Sequence, residues 1–169
     1  MRSFFRRRKT DTQKIDSFVS ATAEFIEVRP IGAVRNRVRR RQMDGWEQIE
    51  SRLELNAALA EGLRGLDGFS HVIVLTWLHL AAAEVRDRLS LRPGGDERLP
   101  PIGIFALRVA GRPNPIGCSV VRLLDVDGAN VRVLGLDAMD GTPVLDVKPY
   151  LPPYDSVPDA LLPDWARPD

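Results

Sequence analysis

Along most of this chain hydrophobic residues alternate with polar ones over short stretches, and no heptad, internal repeat or low-complexity block interrupts that pattern. Phe25 to Val34 alternates and predicts a first strand, bent at Pro30 and Gly32. Trp46 to Leu55 predicts another, with Ile49, Leu53 and Leu55 apolar. Asn56 is a fitting N-cap for a short helix through Leu63, and Gly65 ends it. Phe69 to Leu80 is nearly continuous in Val72, Ile73, Val74, Leu75, Trp77 and Leu78, which suits a strand buried on both faces. Ala81 to Leu89 reads as a short helix and Arg92 to Pro101 as a Gly/Pro-rich loop. Ser119 to Val126, a turn at Asp127-Gly128, and Val131 to Leu136 form a hairpin, and Val144 to Val147 adds a short strand. Leu151 to Asp169 is Pro-rich, carries Trp165, and is expected to pack as irregular structure over the barrel or a partner. Short strands punctuated by turns, with little helix, predict a mainly β fold: a single β-barrel domain with a few short helices.

Composition narrows the classes. The 169 residues suffice for one domain with a real core, and 44% hydrophobic with 28% charged residues is ordinary for a globular protein. No apolar run approaches the roughly 20 residues that span a bilayer. The formal net charge of +1 means that any nucleic-acid binding must come from local patches. The run Arg6-Arg7-Arg8-Lys9 sits in a polar stretch, residues 1–23, read as a disordered tail preceding a domain over 24–169. A single cysteine, Cys118, excludes an internal disulfide framework, and with only His71 and His79 besides, no metal site is expected. An extended strand would hold those two histidines about 27 Å apart. A reducing, cytoplasmic setting is the natural reading.

Chemistry concentrates between Gly103 and Tyr150, where Gly and Pro, which restrict backbone shape, lie beside Arg, Asn, Asp, Lys and Tyr. Arg112, between Gly111 and Pro113, reads as a guanidinium preorganised for a carboxylate or phosphate, with Arg108 at the end of a strand serving the same ligand. Asn114-Pro115 can present acceptors to an exocyclic amine, or simply turn the chain. Asp137, Asp140 and Asp146 surround Gly141-Thr142-Pro143; they suit a hard metal, or an ammonium and ribose hydroxyls. Lys148 and Tyr150 add a cation and a phenol, or an ion pair with Asp146 or Asp155 and a core-edge tyrosine. Cys118 reads as a small buried hydrophobe on a strand. Upstream, Arg35, Arg37, Arg39, Arg40 and Arg41 crowd one loop, Arg35 to Gln42, where a solvated face and a binding role weigh equally.

Phe105-Ala106-x-Arg108, Arg112-Pro113-Asn114-Pro115-Ile116-Gly117, Asp137-x-x-Asp140-Gly141-Thr142-Pro143-Val144-Leu145-Asp146 and Lys148-Pro149-Tyr150 together resemble the signature of the TsaA-like, TrmO-type family. Phe69-Ser70-His71 with His79 resembles its earlier block, and Arg41-Gln42 its basic loop; the similarity runs from about Phe25 to Trp165. The resemblance implies a β-barrel S-adenosylmethionine-dependent methyltransferase acting as a homodimer on N6 of threonylcarbamoyl-adenosine beside the anticodon of tRNA. Arg41, Gln42, Leu78, His79, Arg108, Cys118, Asp137 and Asp140 are thereby expected around the cofactor, and Asn114, Lys148 and Tyr150 around the acceptor base. Where the family has Thr and then Ser-Pro-aromatic about its first Arg, this chain has Leu107 and Val109-Ala110-Gly111. A methyltransferase for another small or nucleotide substrate, or a non-catalytic barrel binding RNA or a nucleotide, are the alternative readings.

Overall fold

A computed structural model of the chain describes residues 26–40, 44–81, 86 and 88–167. Six strands close into an antiparallel barrel in the order β1-β2-β7-β6-β3-β8, with β8 returning to β1. They are β1 (Gly32–Arg35), β2 (Glu50–Leu55), β3 (His71–Trp77), β6 (Ile116–Asp127), β7 (Asn130–Leu134) and β8 (Pro143–Pro149). Closure leaves none of these strands as a free edge. Two further strands, β4 (Ser90–Leu91) and β5 (Ile102–Gly103), pair as a separate ribbon that the hydrophobic pattern did not announce.

Alternation dictates which side chains enter the barrel. Leu53 and Leu55 on β2, Val72 and Val74 on β3, Val121 and Leu123 on β6, Val131 and Val133 on β7 and Val144 on β8 form one buried cluster with Val34. β3 therefore corrects the expectation of a strand buried on both faces: Val72, Val74 and Thr76 point inward, whereas Ile73, Leu75 and Trp77 are half-buried on the outside. β6 is long enough to serve two neighbours, pairing with β3 through its first half and with β7 through its second, with an irregularity between Leu123 and Asp125.

Several boundaries differ from the sequence pattern. Residues 26–31 are not strand; β1 begins at Gly32, whose backbone runs so close to β2 that a Cβ there would lie 2.3 Å from the Glu54 carbonyl oxygen. Trp46–Gln48 is a 3₁₀ turn entered through Gly45 at φ 75°, and only Glu50–Leu55 continues as strand. Asn56 does cap the next segment, accepting from the Ala58 N–H at 3.0 Å, but Ala57–Leu63 winds as a 3₁₀ helix. The helix expected over Ala81 to Leu89 falls largely outside the described residues. The Pro-rich C-terminal stretch is mostly exposed, with one helical turn at Pro152–Asp155 and a half-buried Trp165 in a 3₁₀ turn.

The outside of the barrel is of two kinds. Across β1, β2 and β7 it is charged: Arg35 binds Glu54 at 2.7 Å and Arg132 binds Glu50 at 2.9 Å. The hydrogen bond from Arg35, with its charge, holds the Glu54 carboxyl below its ordinary value of 4.5. A depressed carboxyl pKa contributes stability above the ordinary range that is lost as pH falls through the lowered value. Both partners are about half exposed, so solvent screening keeps that contribution small. Toward the end of β3 and the start of β6 the outside is apolar, with Ile73, Leu75 and Trp77 half-buried and Ile116 and Val120 exposed. It gives way to the exposed pair His71 and Arg122 at the other end.

Candidate binding site at the open end of the barrel

Antiparallel pairing sends the ends of β1, β3 and β7 and the starts of β2, β6 and β8 to the same end of the barrel. The segments that leave or reach these strand ends, described over 36–40, 44–49, 78–81, 104–115 and 135–142, carry most of the residues singled out from the sequence. Leu78 donates its N–H to the Pro115 carbonyl at 2.7 Å, which ties the end of β3 to the turn before β6. His79 follows in a tight turn, exposed, its N–H on the Trp77 carbonyl. Asn114 is exposed in that neighbouring turn, its carbonyl accepting from Ile116 N–H at 2.8 Å.

Arg108 does not end a strand. It follows the 3₁₀ turn Ile104–Ala106, is exposed, and donates from Nη2 to the Cys118 carbonyl at 2.7 Å. Cys118, expected to be buried, is exposed on β6 between exposed Ile116 and Val120, because the inward positions of that stretch are Gly117 and Ser119. Gly117 is required by close approach. A Cβ there would stand 2.4 Å from Oγ1 of buried Thr76 and 3.2 Å from Cδ2 of Leu78. Gly117→Ala is expected to destabilise the barrel by about 1–3 kcal/mol by overpacking, seen as a lower denaturant midpoint at unchanged slope.

Arg112 also departs from expectation. Its Nη1 donates to the carbonyls of Ile104 (3.1 Å) and Leu107 (2.5 Å), and its guanidinium carbon lies 5.6 Å from the centre of the Phe105 ring. The preorganised cation that the Gly-Arg-Pro sequence promised is spent on holding the 104–107 turn.

Asp140 is mostly buried and engaged. Its Oδ1 accepts from the Asn36 N–H at 3.1 Å, its other oxygen pairs with Arg39, and its own N–H donates to the Val38 carbonyl at 2.9 Å. Asn36, which the sequence reading passed over inside the arginine run, completes the junction. Its Nδ2 donates to buried Ser51 Oγ (2.9 Å) and to the Ala138 carbonyl (2.8 Å), and its Oδ1 accepts from Val38 N–H. Asn36 is an amide with both donors and an acceptor set among arginines that only donate, but nothing in the sequence names its partners. Asn36, Arg39, Arg52 and Asp140 edge an open cleft of about 430 Å³. Asp137 is exposed three residues before Asp140 in the same connecting segment, and Arg41 and Gln42 lie outside the described residues.

Lys148 and Tyr150 are elsewhere. Lys148 sits opposite Ile73 on β3 and pairs with Asp146 at 2.5 Å. Tyr150 donates its N–H to the His71 carbonyl and meets the His71 ring edge-on at 6.4 Å, at the start of β3, the end opposite the Pro115 turn. Within one chain, the expected trio of Asn114, Lys148 and Tyr150 is divided between the two ends of the barrel. Among the described residues no group of His, Cys, Asp and Glu could hold a metal ion.

Residues 36–156 match the family described as the tRNA-methyltransferase O N-terminal domain. A protein of Methanothermobacter thermautotrophicus named "Probable S-adenosyl-L-methionine-binding protein" is 39% identical, over 78% of this chain and 95% of its own. The tRNA (adenine(37)-N6)-methyltransferase of Escherichia coli is 44% identical over 60% of this chain, but only 44% of that protein is covered. A solved structure of TrmO from Pseudomonas aeruginosa superposes with a TM-score of 0.66 at 34% identity, over 85% of this chain and 63% of that one. With its barrel, its motifs and most of its length matched, the chain belongs to the family of the tRNA-methyltransferase O N-terminal domain.

Proposed function

We propose that the chain is an S-adenosylmethionine-dependent tRNA methyltransferase acting on N6 of adenosine beside the anticodon, with the threonylcarbamoyl-modified base as acceptor. The observation that carries this reading is the gathering of Leu78, Arg108, Asn114, Cys118, Asp137 and Asp140 in the loops and strand starts at one open end of the barrel. The names of the Escherichia coli and archaeal relatives support it.

The residues present fit the cofactor. It is zwitterionic at its amino-acid end, and it supplies a methyl group already activated for in-line displacement. Exposed Arg108 would take its carboxylate, half-buried Leu78 its apolar surface, and Asp137 its ribose or ammonium group. Arg41, Gln42, His79 and Cys118 would complete the surround, while Asp140 would act by fixing Arg39 and the loop that carries it. Holding donor and acceptor in line supplies much of the rate in such a transfer, and asks for neither a metal nor a protein nucleophile. Asn114 is our candidate for the acceptor amine; Lys148 and Tyr150 would reach it only if a second copy supplied them.

A homodimer packed through the apolar outside of β3 and β6 fits this requirement, since contiguous exposed apolar surface marks association sites. No described helix is long and apolar enough to cross a membrane, and a tRNA substrate suits a cytoplasmic setting.

Calorimetric titration with S-adenosylmethionine tests the reading. The wild-type protein is expected to bind, and Arg108→Ala to bind roughly 10- to 100-fold more weakly, the loss of a charged hydrogen bond. Absence of binding by the folded wild-type protein would overturn it. Transfer of labelled methyl to tRNA with and without the threonylcarbamoyl group then identifies the acceptor.

A further inference from the structure

Phe105 is 75% exposed although its neighbours Ile104 and Leu107 are 1% and 7% exposed. The local backbone explains the contrast. In the 3₁₀ turn Ile104–Ala106, closed by the Leu107 N–H on the Ile104 carbonyl, positions three apart eclipse each other. Ile104 and Leu107 therefore enter the interior together, and Phe105 is turned out to solvent. The turn is clamped from outside by the two hydrogen bonds from Arg112, whose guanidinium stands over the Phe105 ring at 5.6 Å. One face of the ring is backed by a fixed cation and the ring remains open to solvent elsewhere. An aromatic side chain held this way has little rotamer freedom left to lose on binding.

We propose that Phe105, backed by Arg112, is a stacking platform for an unpaired RNA base entering the open end of the barrel. This deepens the tRNA methyltransferase reading and rests on it for the choice of RNA. The surroundings favour a nucleotide over an apolar protein surface. Arg112 keeps its donors on the Ile104 and Leu107 carbonyls but sets positive charge against the ring, and exposed Arg108 follows three residues after Phe105, so the local potential favours the phosphates flanking a stacked base. Asn114, exposed two residues beyond Arg112, offers an amide for a base edge. An aromatic face joined to guanidinium groups is the combination that single-stranded nucleic acid selects, since every base has a π-face and every linkage a negative charge.

The test is binding of a fluorescently labelled anticodon stem-loop RNA, followed by anisotropy, with cofactor affinity measured in parallel on each variant. Phe105→Ala is expected to weaken RNA binding about 10- to 100-fold. Phe105→Trp should stay within a few fold of wild type, and Phe105→Leu, apolar but without a π-face, should behave like the alanine variant. Affinity for S-adenosylmethionine should remain within about twofold in all three. The proposal is overturned if Phe105→Ala or Phe105→Leu binds RNA as wild type does, or if the wild-type protein binds no RNA. It is equally overturned if Phe105→Ala shifts the sedimentation velocity, which would mean that a second copy covers the ring. Lost cofactor affinity in Phe105→Ala would overturn it too, by placing the ring against the cofactor's adenine. RNA binding that depends on Phe105 in a protein that fails to bind S-adenosylmethionine would uphold the platform and remove the methyltransferase reading.

Discussion

Asn36→Ala is expected to cost about 2–4 kcal/mol of stability, far more than an alanine in an arginine-rich surface loop would ordinarily cost. The substitution removes both donors of the side-chain amide and its acceptor. Ser51 Oγ, in a residue 1% exposed, loses the donor that reaches it, as does the Ala138 carbonyl, and the Val38 N–H loses its acceptor. Groups left unpaired in a buried setting cost their desolvation as well as the lost bond. Asn36→Asp should not rescue, because it keeps the acceptor for Val38 but sets a carboxylate close to that of Asp140 and against the Ala138 carbonyl. Arg37→Ala, exposed in the same loop, is the control and should lie within about 0.5 kcal/mol of wild type. Guanidinium unfolding with the slope compared across variants measures all three; equal midpoints for Asn36→Ala and Arg37→Ala would refute the junction.

Leu53→Ala should destabilise by about 2–5 kcal/mol. Leu53 has no exposure, and it pairs across the barrel wall with Val34 on one side and Val131 on the other. A closed barrel has little freedom to collapse onto the lost volume, because its strands are fixed by hydrogen bonds on both sides. The removed methyl groups therefore leave most of their volume as a cavity. Leu53→Ile, similar in volume and suited to a strand, should cost less than about 1.5 kcal/mol. Thermal and denaturant midpoints for the pair separate cavity formation from a general intolerance at this position.

The alternation that made β2, β6 and β7 legible is a local property, since a strand half in and half out of a core must repeat every second residue. The Asp127-Gly128 turn was legible for a similar reason, with Gly128 at φ 56° where the hairpin needs it. β3 misled because its outer face, Ile73, Leu75 and Trp77, is also apolar; a run that is hydrophobic throughout looks the same whether two faces are covered or one. β4 and β5, two residues each, carry too few positions to show a period.

The site divides along the same line. Sequence alone determined that the chain is a mainly β barrel with its unusual chemistry in the loops around Arg108, Asn114 and Asp140, since Gly and Pro mark turns and charged residues gather where turns reach solvent. Tertiary structure alone decided what each of those side chains does. Arg112 looked free and is committed to two carbonyls, Cys118 looked buried and faces outward, and Asn36 looked incidental and joins three segments. Asn114 and Tyr150, joined in one expected constellation, lie at opposite ends of β3 because antiparallel pairing returns β8 away from the end at which β6 begins. Partners far apart in the chain are chosen by strand order and register, and neither is written in any local stretch of residues.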